Sequence, residues 1–290
     1  MLTALLKTMR PRQWTKNVFL FAALVFDKQL FTLDSFLRTL GGFALFCLVS
    51  SSVYIFNDLA DIEADRQHPV KKNRPIPAGQ LPVGAAWAAG ILLVAASLGL
   101  GYLLSPAFSA VLGVYFLINM AYSKWLKHVP ILDVLIIASG FVLRVGAGVT
   151  LIHVERFSPW LYVVMSLLSL FLGFGKRRAE LSLLAKGAGS HRKVLEGYTL
   201  PLLDQYIMIV SGTTIVAYSL YTFSAPNVPE NHSMMLTIPF VVYAIFRYMY
   251  LVQVKQEGGA PEEVLLTDRP FQAAMVLWAA SVLVIFYLFT

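Results

Sequence analysis

Asn57, Asp61 and Asp65 recur every four residues in a stretch that also holds Asp58 and Glu63. On a helix turning about 100° per residue they fall within about 80° of one another over roughly 12 Å. Such a stripe of oxygen ligands suits a hard cation such as Mg²⁺, which takes one or two carboxylates and completes its shell with substrate phosphates. Arg66, Lys71, Lys72 and Arg74 follow within nine positions and suit the phosphates themselves. The stretch begins where an apolar run, residues 36–56, ends. Acidic groups at the end of a membrane helix are expensive unless they bind something. The plainer alternative is a charged, solvated loop.

The elements that carry these residues are apolar. Of 290 residues, 58% are hydrophobic and 13% charged, against about 25% charged in ordinary soluble domains. Mean hydropathy is +0.68. The pattern predicts an all-α polytopic membrane protein, a bundle of nine transmembrane helices in one domain, residues 1–290. The spans fall near 14–33, 36–56, 81–104, 107–123, 130–152, 158–174, 201–223, 233–253 and 271–289. Asp27 and Lys28 interrupt the first, which reads as a retained span because no small-residue cleavage site follows it. With the N-terminus inside, 18 of the 23 Lys and Arg lie on inner segments. Three lie outside (Lys28, Arg38, Arg156) and two within spans (Arg144, Arg247). That asymmetry places the N-terminus and the acidic stripe on the cytoplasmic side of an inner or plasma membrane. The lone Cys47 is a mid-span hydrophobe. Zinc-ligand spacing, a P-loop, a GxGxxG fingerprint and a catalytic triad are all missing, and no nucleic-acid partner is expected.

Three further charged clusters reach the inner face. Arg10-Pro-Arg12-Gln-Trp14-Thr-Lys16-Asn17 precedes the first span, with Trp14 also explicable as an interfacial anchor. Tyr122-Ser-Lys124-Trp-Leu-Lys127-His128 is followed by Asp133 and Arg144. Those two lie about 20° apart around one helix, so a buried Arg–Asp pair is one reading of them. Gly175-Lys176-Arg177-Arg178-Ala-Glu180, continuing to His191-Arg192-Lys193, suits either lipid headgroups or a substrate phosphate. One acidic stripe with several separate basic clusters points to more than one phosphorylated group.

Asn57-Asp-x-x-Asp61-x-x-x-Asp65 after a second span, with nine spans in all, resembles the UbiA superfamily of intramembrane prenyltransferases over essentially the whole chain. The longer string running to His68-Pro69-x-Lys71-x-x-Arg74-Pro75 is most similar to its phosphoribosyltransferase branch, which acts on decaprenyl phosphate. Arg10-Pro-Arg-Gln-Trp-x-Lys16-Asn17, Tyr122-Ser-x-Trp-Leu-Lys127 and Gly175-Lys-Arg-x-Ala-Glu180 agree with that branch. Where aromatic prenyltransferases of the superfamily carry a second DxxxD motif, this chain has Lys176, Arg177 and Arg178. Tyr122 to Lys127 is also one residue longer than their YxxxK pattern.

The resemblance implies Mg²⁺-dependent transfer of 5-phosphoribose from phosphoribosyl diphosphate (PRPP) to a polyprenyl phosphate, releasing diphosphate. Asn57, Asp61 and Asp65 are then the metal-binding and catalytic residues. Lys16, Asn17, Asp58, Lys71, Arg74, Tyr122 and Lys127 meet PRPP. Arg144, Lys176, Arg177 and Arg178 meet the acceptor phosphate, and His68 is structural or a phosphate contact. Self-association of the chain stays open. The rivals are an aromatic prenyltransferase using a polyprenyl diphosphate and an ion-coupled transporter. The second is disfavoured because the acids gather at one helix end and not at the bilayer midplane.

Overall fold

The computed structural model describes residues 1–154, 158–185, 192–256, 264 and 267–288. Among them the regular structure is helical, without strands. The α-helices are α1 (Leu2–Met9), α2 (Ala22–Phe26), α3 (Leu33–Ala60), α4 (Ile62–Gln67), α5 (Val83–Leu104) and α6 (Pro106–Lys124). They continue with α7 (Leu132–Val149), α8 (Pro159–Ala185), α9 (Leu200–Ser224), α10 (Ile238–Tyr250) and α11 (Arg269–Leu288).

Eight helical segments among the described residues are long and apolar enough to cross a bilayer. They correspond to the second through ninth expected spans. The first differs: residues Pro11–Phe21 form a 3₁₀-helix that continues into α2. Lys28, at φ 58°, marks its end. Eleven residues at about 2.0 Å and five at about 1.5 Å together cover about 30 Å, comparable to the hydrocarbon core of a bilayer.

The chain divides into two compact units. Unit 1 comprises residues 1–25, 29–125 and 143–154. Its central element is α3: 61% of its apolar window is buried, against 17% for α5 and for α6. Hydrophobic burial does not separate helix–helix from helix–lipid contact in a bilayer, so close packing of small residues has to hold α3 in place. Ser50, Ser51 and Ser52 are buried along it and return their hydroxyl protons to carbonyls one turn back. At Gly90 of α5 an added Cβ would lie 2.9 Å from the Phe56 ring, so only glycine admits that approach. Ser105 caps α6 by accepting the Phe108 N–H, with Pro106 in the first turn. Phe46, Val49, Phe108, Leu112 and Ala147 fill the interior. Trp87, Ile91, Leu92 and Leu103 of α5 remain exposed, as lipid-facing residues do.

Unit 2 comprises residues 26–28, 126–142 and 155–290. Its principal packing is α8 along α9, joined by α10 and α11. Thr199 caps α9 by accepting the Leu202 N–H. Phe171, Phe174, Leu203, Ile207, Ile245 and Tyr248 form the core. The Tyr248 ring lies over Gly175, where a Cβ would stand 2.9 Å from it. That contact seats α10 beside the turn of α8 that carries Lys176, Arg177 and Arg178.

Candidate functional site

The acidic stripe survives a break in its helix. α3 ends at Ala60, Asp61 turns to φ −101° and ψ 12°, and α4 restarts at Ile62. The Asp61 N–H still reaches the Asn57 carbonyl at 3.0 Å, and the Asp65 N–H reaches that of Asp61 at 2.8 Å. Four-residue spacing therefore carries across the break. α4 stops at Gln67 because His68, preceding Pro69, is extended at ψ 133°. The His68 Nδ1 accepts the N–H groups of Val70 and Lys71 and so shapes the turn that returns the basic residues.

Those basic residues converge on two buried carboxylates. Asp58 and Asp65 are 2% and 1% exposed. Arg74 bridges them, with Nη1 3.0 Å from Asp58 Oδ1 and 2.6 Å from Asp65 Oδ2. Arg10 donates to Asp58 at 2.6 Å and lies 4.8 Å from the Tyr54 ring centroid. The Lys71 ammonium stands 3.7 Å from Asp65. Burial of the carboxylates calls for these partners, since an unpaired ion there would cost several kcal/mol. Beside them opens a cavity of about 310 Å³ lined by Lys7, Thr8, Arg10, Asp58, Val70, Lys71, Asn73, Arg74 and Pro75. Four cations and one carboxylate, Asp58, line it, and counting Asp65, which pairs with Lys71 and Arg74, the group carries a surplus of two positive charges. Asp58 is thus the hub of an ion-pair network. Lys7, Arg10 and Asn73 were not singled out from sequence as substrate contacts. Arg10 and Asp58 stand 48 positions apart, and no local pattern announces such a pairing.

The residues expected to hold a divalent metal are Asn57, Asp61 and Asp65, the last of which pairs with Lys71 and Arg74. Asn57 Oδ1 is buried without a hydrogen-bond partner among the described residues, a free oxygen of the kind a cation would use. Those residues hold no cluster of three His, Cys, Asp or Glu that could bind a metal by themselves. Two carboxylates, one carboxamide and substrate oxygens remain a fitting set for Mg²⁺.

The other residues singled out from sequence are distributed as follows. Lys16 is half-buried on the 3₁₀-helix. Asn17 is fully buried and donates to Cys47 Sγ and Ser50 Oγ. Arg144 is 6% exposed; its Nε donates to Asn17 Oδ1 at 2.8 Å and Nη2 to the Tyr115 hydroxyl at 3.0 Å. Tyr122 lies half-buried in the last turns of α6, and Lys127 in the 3₁₀ turn Leu126–His128.

Asp133 and Arg144 do not form the buried pair that was one reading of their spacing. They share a face of α7 but stand about 16 Å apart along it. Asp133 is held instead by Arg177 Nε at 2.6 Å and by the Tyr198 hydroxyl at 2.7 Å. Burial first, then Asp133, raises the ionisation of Tyr198 above the ordinary tyrosine range.

The basic triplet of α8 divides three ways. Arg177, 2% exposed, also donates to Glu180 at 2.7 Å, and Glu180 in turn lies 3.6 Å from Arg192. Arg178 takes Asp204 at 2.5 Å and the Val252 carbonyl. Lys176 is half-buried and has no ion pair among the described residues. Arg177 and Arg178 were expected on the acceptor phosphate, and here both are engaged by carboxylates. A buried guanidinium needs a counter-charge, and Asp133 and Asp204 supply it from 44 and 26 positions away. Arg156, Lys186 and His191 lie outside the described residues.

Comparison with known proteins supplies the wider context. The model of the UbiA prenyltransferase family matches residues 18–267. The decaprenyl-phosphate phosphoribosyltransferase of Corynebacterium glutamicum is 35% identical, over 98% of this chain and 87% of its own. The Mycolicibacterium smegmatis enzyme of that name is 35% identical over 97% and 92%, and that of Mycobacterium tuberculosis H37Rv 33% over 97% and 94%. Among solved structures, a UbiA homologue from Archaeoglobus fulgidus bound to DMAPP and Mg²⁺ superposes with a TM-score of 0.73. It is 19% identical, with 98% of this chain and 99% of that one covered. At that identity the likeness shows the fold.

Proposed function

The chain belongs to the UbiA prenyltransferase family, a multi-pass membrane transferase, and we propose that it moves 5-phosphoribose from PRPP to a polyprenyl phosphate and releases diphosphate. The observation that carries this reading is the cavity of unit 1. It is small, and its wall carries more cations than carboxylates, which suits the phosphate groups of a compact phosphosugar. The relatives of similar length and 33–35% identity bear the name of that activity.

On this reading residues 1–290 act as one catalytic domain, with the N-terminus and the cavity facing the cytoplasm, where PRPP is made. Lys7, Arg10, Lys71 and Arg74 hold the phosphate groups of PRPP, the arginines through paired N–H donors and the lysines as point charges. Asn57 Oδ1, Asp61 and Asp65 would hold Mg²⁺, which when bound neutralises the charge growing on the leaving diphosphate. A phosphate oxygen of the acceptor attacks C1 of the ribose as the bond from C1 to the diphosphate oxygen breaks. Positive charge develops on the ribose ring at that moment, so stabilising the leaving group does most of the work. The acceptor is already anionic at neutral pH, so no general base is required. Lys176, whose charge is unclaimed, is the cation for the acceptor phosphate, with Arg177 and Arg178 supporting the turn around it.

The test uses purified protein in lipid nanodiscs with Mg²⁺, polyprenyl phosphate and PRPP labelled in the ribose. Label is expected in the lipid phase, and none there refutes the reading. Transfer of a prenyl group to an aromatic acid, without ribose incorporation, would install the aromatic prenyltransferase in its place.

A further inference from the structure

The 3₁₀-helix Pro11–Phe21 is unusually long, since runs beyond three or four residues are uncommon. The hydrogen bonds of a 3₁₀-helix are poorer in geometry than those of an α-helix, so something outside the segment must hold it. Three residues at three-residue spacing do so. The Trp14 Nε1–H donates to Ser51 Oγ at 3.0 Å, and Ser51 is held in turn by giving its own proton to the Cys47 carbonyl at 2.7 Å. Asn17 donates to Cys47 Sγ at 3.2 Å and Ser50 Oγ at 3.3 Å, and accepts from Arg144 Nε at 2.8 Å. The Leu20 carbonyl oxygen packs so closely on Gly148 that a Cβ there would collide with it.

A 3₁₀-helix repeats every three residues, so Trp14, Asn17 and Leu20 are eclipsed on one face. In an α-helix the same three would fan through about 120°. Arg144 and Gly148, four apart on α7, meet two of the three rungs from one side. Arg144 is itself fixed, by the Tyr115 hydroxyl at 3.0 Å and by the rings of Phe46 and Tyr115 at 5.3 and 5.0 Å. The wall against which this segment rests therefore recognises its 3₁₀ form.

That form sets a length. Conversion of eleven residues to α-helix would shorten the segment by about 5.5 Å, from a rise of about 2.0 Å to 1.5 Å per residue. At its head stands Arg10, in the left-handed region at φ 53°, joining α1 to the 3₁₀-helix. Its guanidinium reaches Asp58 at 2.6 Å on the cavity wall. A retraction of 5 Å would remove that contact and carry Lys7 of α1 away with it.

We infer that Arg144 is a positioning residue: acting through Asn17, it holds the segment in its 3₁₀ form and so places Arg10 and Lys7 at the anion cavity. Arg144 and Asn17 on this account touch neither substrate. The functional half of the inference rests on the reading of the cavity as the donor site; the structural half does not.

The test places spin labels at Thr3→Cys in α1 and Gln80→Cys, both exposed in unit 1, with Cys47 left in place because it is 3% exposed. Double electron–electron resonance gives their separation in nanodiscs. Calorimetry follows inorganic diphosphate with Mg²⁺, and kinetics follow PRPP. Arg144→Met is expected to move the labels by about 5 Å. Losing one charge-assisted contact should also weaken diphosphate binding and raise the PRPP KM by about 10- to 100-fold, with a smaller effect on kcat. If that variant does not fold, Gly148→Ala strains the Leu20 rung without touching the arginine and is expected to give the same shift. An unchanged distance in the folded variants overturns the inference, and so does a changed distance with unchanged diphosphate affinity. Wild-type protein that binds no diphosphate would remove the donor reading instead, and the distances would still decide whether Arg144 sets the segment.

Discussion

Both units pair charged side chains among the described residues, and the two differ in the balance of charge they strike. In unit 1, Arg10, Lys71 and Arg74 meet Asp58 and Asp65, and a cavity that Lys7 also lines opens beside them. In unit 2, Arg177, Arg178 and Arg192 meet Asp133, Glu180 and Asp204, three against three. The same residue types do different things in the two places. A balanced set satisfies itself and fixes helices; a set with surplus cations and open space is complete only when an anion arrives. Lys176 stands apart from the balanced set as a cation without a counter-charge.

The comparison breaks first, and most severely, at the metal edge. Asp61→Asn should abolish turnover while the thermal unfolding midpoint moves little, and chelation of Mg²⁺ should do the same to the unaltered protein. Asp65→Asn should abolish turnover and also lower the midpoint, because Arg74 and Lys71 lose their buried counter-charge. Full activity of either variant at ordinary Mg²⁺ would end the metal assignment.

Unit 2 should behave in the opposite way. Arg177→Met leaves Asp133 as a buried, unbalanced carboxylate and should cost about 3–5 kcal/mol of stability. The double variant Asp133→Leu with Arg177→Met should recover most of it, as seen by unfolding in detergent. If the single variant unfolds normally but loses acceptor binding, Arg177 is a substrate ligand after all.

Lys176→Gln sharpens the contrast within α8. Loss of one charged phosphate contact should raise the KM for polyprenyl phosphate by about 10- to 150-fold, with PRPP binding unchanged. The reverse pattern would mean that the two anion sites are assigned backwards.

The smallest effect concerns pH. The folded protein holds Tyr198 protonated to higher pH than the unfolded chain does. Between the ordinary ionisation near pH 10 and that raised value the folded state binds the extra proton, so its contribution is intact below about pH 10 and declines above it. Tyr198→Phe should cost about 1–2 kcal/mol at neutral pH, because Asp133 and the Ile131 N–H both lose a partner. It should also flatten the alkaline decline in unfolding midpoint. Parallel curves for the two proteins would count against the Tyr198–Asp133 bond.

What could be read from sequence follows the range over which the physics acts. Apolar runs located the eight long segments because bilayer thickness imposes a length. The four-residue spacing of Asn57, Asp61 and Asp65 was legible, and backbone bonds carry it even though the helix breaks at Asp61. The partners of Arg177 and Arg178 were not legible, because Asp133 and Asp204 arrive through tertiary packing. The 3₁₀-helix was missed for another reason. Its apolar content satisfied a span, while the signal for its true form, Trp14, Asn17 and Leu20 three apart, makes sense only once the wall opposite is known. Lys7 was counted as an insertion signal, which carries no information about cavities.

The segment from Pro11 to Phe26 covers in sixteen residues a length for which an α-helix would need about twenty. A drawn-out helix has little slack. Most membrane helices meet a thicker bilayer by reducing their tilt, and the adjustment costs fractions of a kcal/mol per Å. This one is pinned at Asn17 and Leu20 and carries Arg10 at its end, so hydrophobic mismatch would be felt at the anion cavity before it was felt elsewhere in unit 1. If the cavity is the donor site proposed above, acyl-chain length becomes a variable of donor affinity, and nanodiscs of short- and long-chain lipid should separate the PRPP KM values of one and the same protein.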